Sequence, residues 1–90
     1  FKPKNKQVMK EIILKIVSKL DKSPVVDAIV SIRKAPGQFT ELAGITDETG
    51  EAALMTDGSF GTYEIGVNYN GLSKIYQIEL PHDSPFVLKF

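Results

Sequence analysis

The sequence predicts an all-β protein, a sandwich of seven short antiparallel strands. Three observations point there. Apolar and polar residues alternate over residues 62–69, 74–80 and 86–90, the period of a strand with one face buried. Turn-forming clusters break the chain roughly every 8–12 residues. Ile12, Ile13, Ile16 and Val17 concentrate β-branched side chains in the one segment that could also be read as a helix.

The elements follow in order. Residues 1–11 hold a basic leading arm or edge segment, and residues 12–90 the folded domain. Val8, Ile12, Leu14, Ile16 and Leu20 alternate as a strand would. Val8, Met9, Ile12, Ile13, Ile16, Val17 and Leu20 fit an amphipathic helix about as well. β-Branching and the turn cluster Asp21-Lys22-Ser23-Pro24, which lacks a helix-capping glycine, favour the strand. A short helix over residues 5–11 remains open. Residues 26–32 read as a second strand with Ala28, Val30 and Ile32 inward, and 34–39 as a loop around Pro36-Gly37. Residues 40–46 form a short third strand. Thr46-Asp47-Glu48-Thr49-Gly50 is a tight hairpin, with Asp47 bonding the turn backbone and Gly50 supplying a positive φ. Residues 51–55 return as a fourth strand, and 56–61 form a turn-rich loop. Tyr63, Ile65 and Val67 face inward from the fifth strand, with Glu64, Gly66 and Asn68 outward. Asn70-Gly71 is a hairpin signal. Tyr76, Ile78 and Leu80 face inward from the sixth strand. Residues 81–85, bounded by prolines, break it before a last strand with Phe86, Leu88 and Phe90 on one face.

Ninety residues make one small domain with a thin core. Without cysteine there is no disulfide and no thiolate metal site, and no apolar run approaches the roughly 20 residues of a membrane helix. The net charge of zero hides an asymmetry: residues 1–22 carry seven Lys against two acids, and residues 23–90 four basic residues against nine acids. A lysine-rich leader can attract nucleic acid or anionic lipid. With a single Arg and an acidic remainder, a solvated tail or an aggregation-resistant edge is the favoured reading, and nucleic acid is disfavoured as a partner.

Three stretches then carry a resemblance. Leu20-Asp21-Lys22-Ser23-Pro24-Val25-Val26-Asp27-Ala28-Ile29-Val30 resembles the opening hairpin of carboxypeptidase regulatory-like domains, the small prealbumin-like (transthyretin-like) sandwiches. Thr46-Asp47-Glu48-Thr49-Gly50-Glu51-Ala52 is similar to that family's T-D-x-x-G-x-A/F hairpin, and Gly61-Thr62-Tyr63-Glu64-Ile65-Gly66-Val67 to its G-x-Y-x-I-x-V strand. Asn70-Gly71 falls where the family often has a glycine turn. The resemblance covers about residues 12–80 and departs at Ser23, where the family usually carries Gly before Pro. It implies a Greek-key, prealbumin-like or Ig-like sandwich, and it slightly favours an extracytoplasmic setting. It implies little about function, because the fold serves many roles.

The residues argue against most chemistries. A calcium loop needs 6–8 oxygens in a fixed register, and Asp47, Glu48 and Glu51 offer three carboxylates without it. His82 is the only histidine, too few for a zinc set, and no G-x-S-x-G accompanies it. The hydroxyisourate hydrolases of the prealbumin-like fold need paired histidines and a C-terminal Tyr-Arg-Gly-Ser, whereas this chain ends Phe86-Val87-Leu88-Lys89-Phe90. Stalk domains that form a Lys–Asn/Asp amide need a Glu near the position of Val67, which is apolar. No enzyme activity, cofactor or metal is therefore expected. The expectation is a non-catalytic interaction or accessory module, docking a protein partner or other domains of the same chain through Ile29, Phe39, Leu42 and Tyr69. The competing readings are a structural spacer and a carbohydrate-binding module of a surface or secreted protein. The chain lacks the Trp platform common in sugar binders, although Phe39, Phe60 and Tyr69 could form a small patch. Weak dimerisation through an edge strand is a further expectation.

Overall fold

The computed structural model describes residues 10–39, 42–82 and 85–90. Among these there is no helix. The strands are β1 (Lys10–Val17), β2 (Ile29–Lys34), β3 (Gly44–Ile45), β4 (Glu51–Thr56), β5 (Gly61–Tyr69), β6 (Leu72–Leu80) and β7 (Phe86–Lys89). They form two sheets, one ordered β4-β1-β7 and the other β3-β2-β5-β6. The core lies between them. Ile12, Leu14 and Ile16 of β1, Ala52 and Leu54 of β4, and Phe86 and Leu88 of β7 meet Val30, Ile32, Tyr63, Ile65, Val67 and Ile78 of the other sheet. Alternation along each strand supplies both inner faces.

Turns decide where the chain changes sheet. The segment after β1 folds back, with Val25 N–H donating to Ile16 C=O at 2.9 Å and Ser18 N–H to Ser23 C=O at 2.8 Å. It then leaves for the second sheet at Asp27, which has φ 65°. Thr46 secures the departure: its buried hydroxyl accepts from Ala28 N–H at 2.8 Å and donates to Val25 C=O at 2.7 Å. The 46–51 turn has the chemistry the sequence predicts. Asp47 Oδ1 accepts from Thr49 N–H at 2.9 Å, Thr49 Oγ1 at 2.7 Å and Glu51 N–H at 3.0 Å. Gly50 sits at φ 80°, where a Cβ would lie 2.5 Å from Ile16 O. Asn70 and Gly71, at φ 55° and 78°, make the tight β5–β6 hairpin.

Several expectations need correction. The strands flanking the 17–26 and 46–51 segments lie in different sheets: the 18–23 turn closes a short antiparallel hairpin at Val17–Pro24, but the chain then crosses between layers, and it crosses again at 46–51; a local turn signal cannot specify which sheet receives the next strand. β1 and β7 pair parallel, against the expected antiparallel arrangement, because alternation carries no direction. Leu20, expected inward, is 95% exposed: β1 ends at Val17, and Leu20 sits in the turn beyond. The third strand contracts to Gly44–Ile45, with Thr40 and Glu41 outside the described residues. Gly66 has the outward register but is buried, because the stem of Arg33 lies over it, within 3.0 Å of where a Cβ would stand. The guanidinium of Arg33 continues to Glu64 at 3.6 Å. Strand β1 begins at Lys10; the helix considered over residues 5–11 falls mostly outside the described residues, as does nearly all of the leading arm.

Candidate functional site

The sandwich has two ends, and they are built differently. One gathers the start of β1, the end of β4 and the 57–60 loop. Here the acids and hydroxyls are spent on structure. Tyr63, fully buried in β5, donates its hydroxyl to Ser59 C=O at 2.7 Å and lies 3.0 Å from Thr56 Oγ1. A tyrosine has one hydroxyl hydrogen, so with Tyr63 donating to Ser59 the single Thr56 hydrogen has two acceptors in reach, the Tyr63 oxygen and Gln38 C=O. Thr56 Oγ1 is also 3.2 Å from Gln38 C=O, which accepts from Asp57 N–H at 2.9 Å. Asp57 in turn accepts from Gln38 N–H at 2.9 Å and Ser59 N–H at 3.0 Å. Two loops are thereby tied across the end of the core. A cavity of about 190 Å³ lies beside this knot, walled by Lys10, Glu11, Phe60 and His82 among others, with His82 stacked on Phe86 at 4.4 Å. Its rim adjoins chain outside the described residues on both sides, before Lys10 and after His82.

The other end gathers the 18–25 turn, the tip of the β5–β6 hairpin and Phe90. It holds a cavity of about 310 Å³ lined by Ser18, Lys19, Leu20, Ser23, Pro24, Val25, Tyr69 and Phe90. Tyr69 and Phe90 meet edge to face at 5.8 Å. Lys74 places its ammonium 4.7 Å from the Phe90 ring centre and donates to Phe90 C=O at 3.0 Å, a cation–π contact reinforced by a charge-assisted hydrogen bond. Leu20, Val26 and Leu72 stand exposed around this end. Lys19 is in the wall and Lys22 in the same turn. The acid between them, Asp21, is exposed and accepts from Ser23 N–H at 3.1 Å and Ser23 Oγ at 2.7 Å. The end thus combines exposed apolar side chains and an aromatic pair with two lysines and the Asp21 carboxylate between them.

Asp21, Asp47 and Asp57 share one local device. Each is followed two residues later by Ser or Thr, and each carboxylate accepts that residue's N–H. These bonds favour the ionised form. A side-chain hydrogen bond from Ser23 holds the Asp21 carboxyl below its usual range, one from Thr49 does the same for Asp47, and the Gln38 backbone N–H does so for Asp57. Tyr76 moves the other way, its phenol raised by burial; it donates to Lys89 C=O at 2.7 Å.

The four residues singled out from sequence do not form one patch. Tyr69 lies in the wall of the larger cavity. Phe39 is half-buried, packed on the core and bridged to Thr56 at the opposite end. Ile29 lies on the outer face of its sheet, in register with Ile45, and both are exposed. Leu42 is exposed in the connection between Phe39 and β3. Sequence reasoning missed Leu20, Pro24 and Phe90 as neighbours of Tyr69. A signal for Leu20 did exist: a large aliphatic residue between Lys19 and Asp21 in a polar turn has no local reason to be there. No protein-family model, curated protein or solved structure matches the chain. Among the described residues, no helix is long and apolar enough to cross a membrane.

Proposed function

We propose that this chain is a non-catalytic interaction module of the carboxypeptidase regulatory-like, Greek-key kind, and that it docks a protein segment at the Tyr69–Phe90 end. The partner segment carries a bulky apolar side chain flanked by acidic residues. The apolar group fills the cavity against Tyr69, Phe90, Pro24 and Val25, and the carboxylates meet Lys19 and Lys22. The observation that carries this reading is the concentration of exposed apolar residues, with Leu20 95% and Leu72 59% exposed, around a cavity with an aromatic pair in its wall. Apolar side chains scattered singly on a surface need no explanation, whereas a cluster around a concavity marks a binding surface. The fold assignment draws its support from the three sequence stretches. Two of them, matched to hairpins of that family, lie where the chain passes between the sheets, and the third forms β5.

The test is a displayed library of short peptides selected on the immobilised 90-residue chain, followed by mapping of amide shifts with an enriched peptide. The reading expects sequences pairing Leu, Ile, Phe or Trp with Asp or Glu, shifts confined to residues 18–25, 69–74 and 90, and at least about tenfold weaker binding for Leu20→Asp. Shifts centred on Phe39 or Ile29, or no enrichment, would refute it.

A further inference from the structure

The four sheet edges are not equally protected. β3 is only two residues long. β4 is met by Phe39, which bridges to Thr56 at its end. β7 is four residues long, and the carbonyls of Lys89 and Phe90 at its end are taken by Tyr76 and Lys74. β6 differs. It is nine residues long and pairs with β5 without a bulge, from Tyr69↔Leu72 to Gly61↔Leu80. A two-residue turn with positive φ at both positions makes its flanking residues a hydrogen-bonded pair. Leu72, Lys74, Tyr76, Ile78 and Leu80 therefore bond to β5, and the N–H and C=O groups of Ser73, Ile75, Gln77 and Glu79 point away from it. No proline or bulge interrupts this edge, the devices that usually prevent strand addition. Lys74, which could guard it from the inner face, is engaged with Phe90.

We infer that β6 is a self-pairing edge, and that two copies of the chain join antiparallel through it into one continuous sheet. Two-fold symmetry and the direction of the free backbone groups restrict the register. With the axis at Gln77, Ile75 would face Glu79, and Ser73 would face Pro81, which has no N–H. With the axis at Tyr76, Ile75 would face Gln77 and Ser73 would face Glu79. With the axis at Ile75, apolar meets apolar and polar meets polar save for one pair: Ile75 meets Ile75 and Ser73 meets Gln77 on the outer face, while Leu72 meets Ile78 and Lys74 meets Tyr76 on the inner one. No two charges of the same sign oppose each other, and Ile75, 49% exposed in the single chain, and Leu72 gain apolar cross-strand neighbours. The net charge of zero removes any general repulsion between copies.

The chain has no cysteine, so a single introduced thiol reports the register. In this pairing the two Ile75 Cα atoms lie roughly 5.5 Å apart, within disulfide range, whereas the two Ser73 positions are separated by about 13 Å along the strands. Mild oxidation of Ile75→Cys is expected to give a disulfide-linked dimer while Ser73→Cys stays monomeric. In analytical ultracentrifugation, Ile75→Lys, which opposes two like charges at the axis, is expected to raise the dimer dissociation constant at least about tenfold. Equal cross-linking of the two thiol variants, cross-linking of neither, or an unchanged dissociation constant for Ile75→Lys would each overturn the inference.

Discussion

At the Thr56 end of the sandwich, Tyr63, Thr56, Ser59, Gln38 and Asp57 complete one another's hydrogen bonds, and the loops above the core are tied together by them. At the Tyr69 end, the aromatic pair and Lys74 leave a cavity open, and Leu20 and Leu72 stand in water. Burying a polar network is favourable only when every member is satisfied, and the first end meets that condition. Leaving large apolar side chains in water gains nothing for the isolated fold, and the proposed docking rests on this second end. A small domain with a thin core thus spends its polar chemistry tying the loops of one end, where Phe60 still stands exposed beside a smaller cavity, and leaves Leu20 and Leu72 exposed at the other.

The comparison can be broken by mutation at either end. The largest expected effect is Tyr63→Ala, which removes a fully buried ring and the hydroxyl network together and should cost about 3–5 kcal/mol in urea unfolding. Tyr63→Phe isolates the hydroxyl. It leaves the Ser59 carbonyl without its donor, while the Thr56 hydroxyl keeps the Gln38 carbonyl as acceptor, an expected loss of about 1–3 kcal/mol. If Tyr63→Phe is neutral, the closed end is held by packing alone.

Acid should act through the turns. The carboxyls of Asp21, Asp47 and Asp57 titrate below their ordinary range in the folded chain, so the unfolded chain binds protons first. Their contribution is present above the ordinary aspartate value near pH 4 and is lost as pH falls through the lower folded values. Stability should therefore be level at neutral pH and decline below about pH 4, with a flatter acid limb for Asp47→Asn; the same limb in both proteins would remove Asp47 from the account. The smallest effect is expected at the open end. Leu20→Ser should change stability by no more than about 0.5 kcal/mol, since Leu20 touches little of the fold, and a larger loss would make Leu20 a structural residue.

Much of this architecture was legible in the sequence where information is local. Tyr63, Ile65 and Val67 on β5, and Phe86 and Leu88 on β7, declare their inward face by alternation alone, and Asp47 with Gly50 declares a turn by its hydrogen-bonding and φ requirements. The assignment of strands to sheets was not legible. The 46–51 turn looks the same whether its strands pair or separate, and the separation is set by Thr46, whose hydroxyl reaches back to Val25 and Ala28. The parallel β1–β7 pairing and the meeting of Tyr69 with Phe90 join distant parts of the chain, and periodicity does not encode them. Leu20 misled because it continued the parity of β1 past the residue where the strand stops.

The most direct test of the central claim is a binding isotherm for an enriched apolar–acidic peptide, measured side by side on the unmodified chain, Leu20→Asp and Phe39→Ala. The open-end account predicts at least about tenfold loss for Leu20→Asp and unchanged affinity for folded Phe39→Ala, which lies at the far end. Unchanged affinity in Leu20→Asp with loss in Phe39→Ala would contradict it and move the site to the closed end.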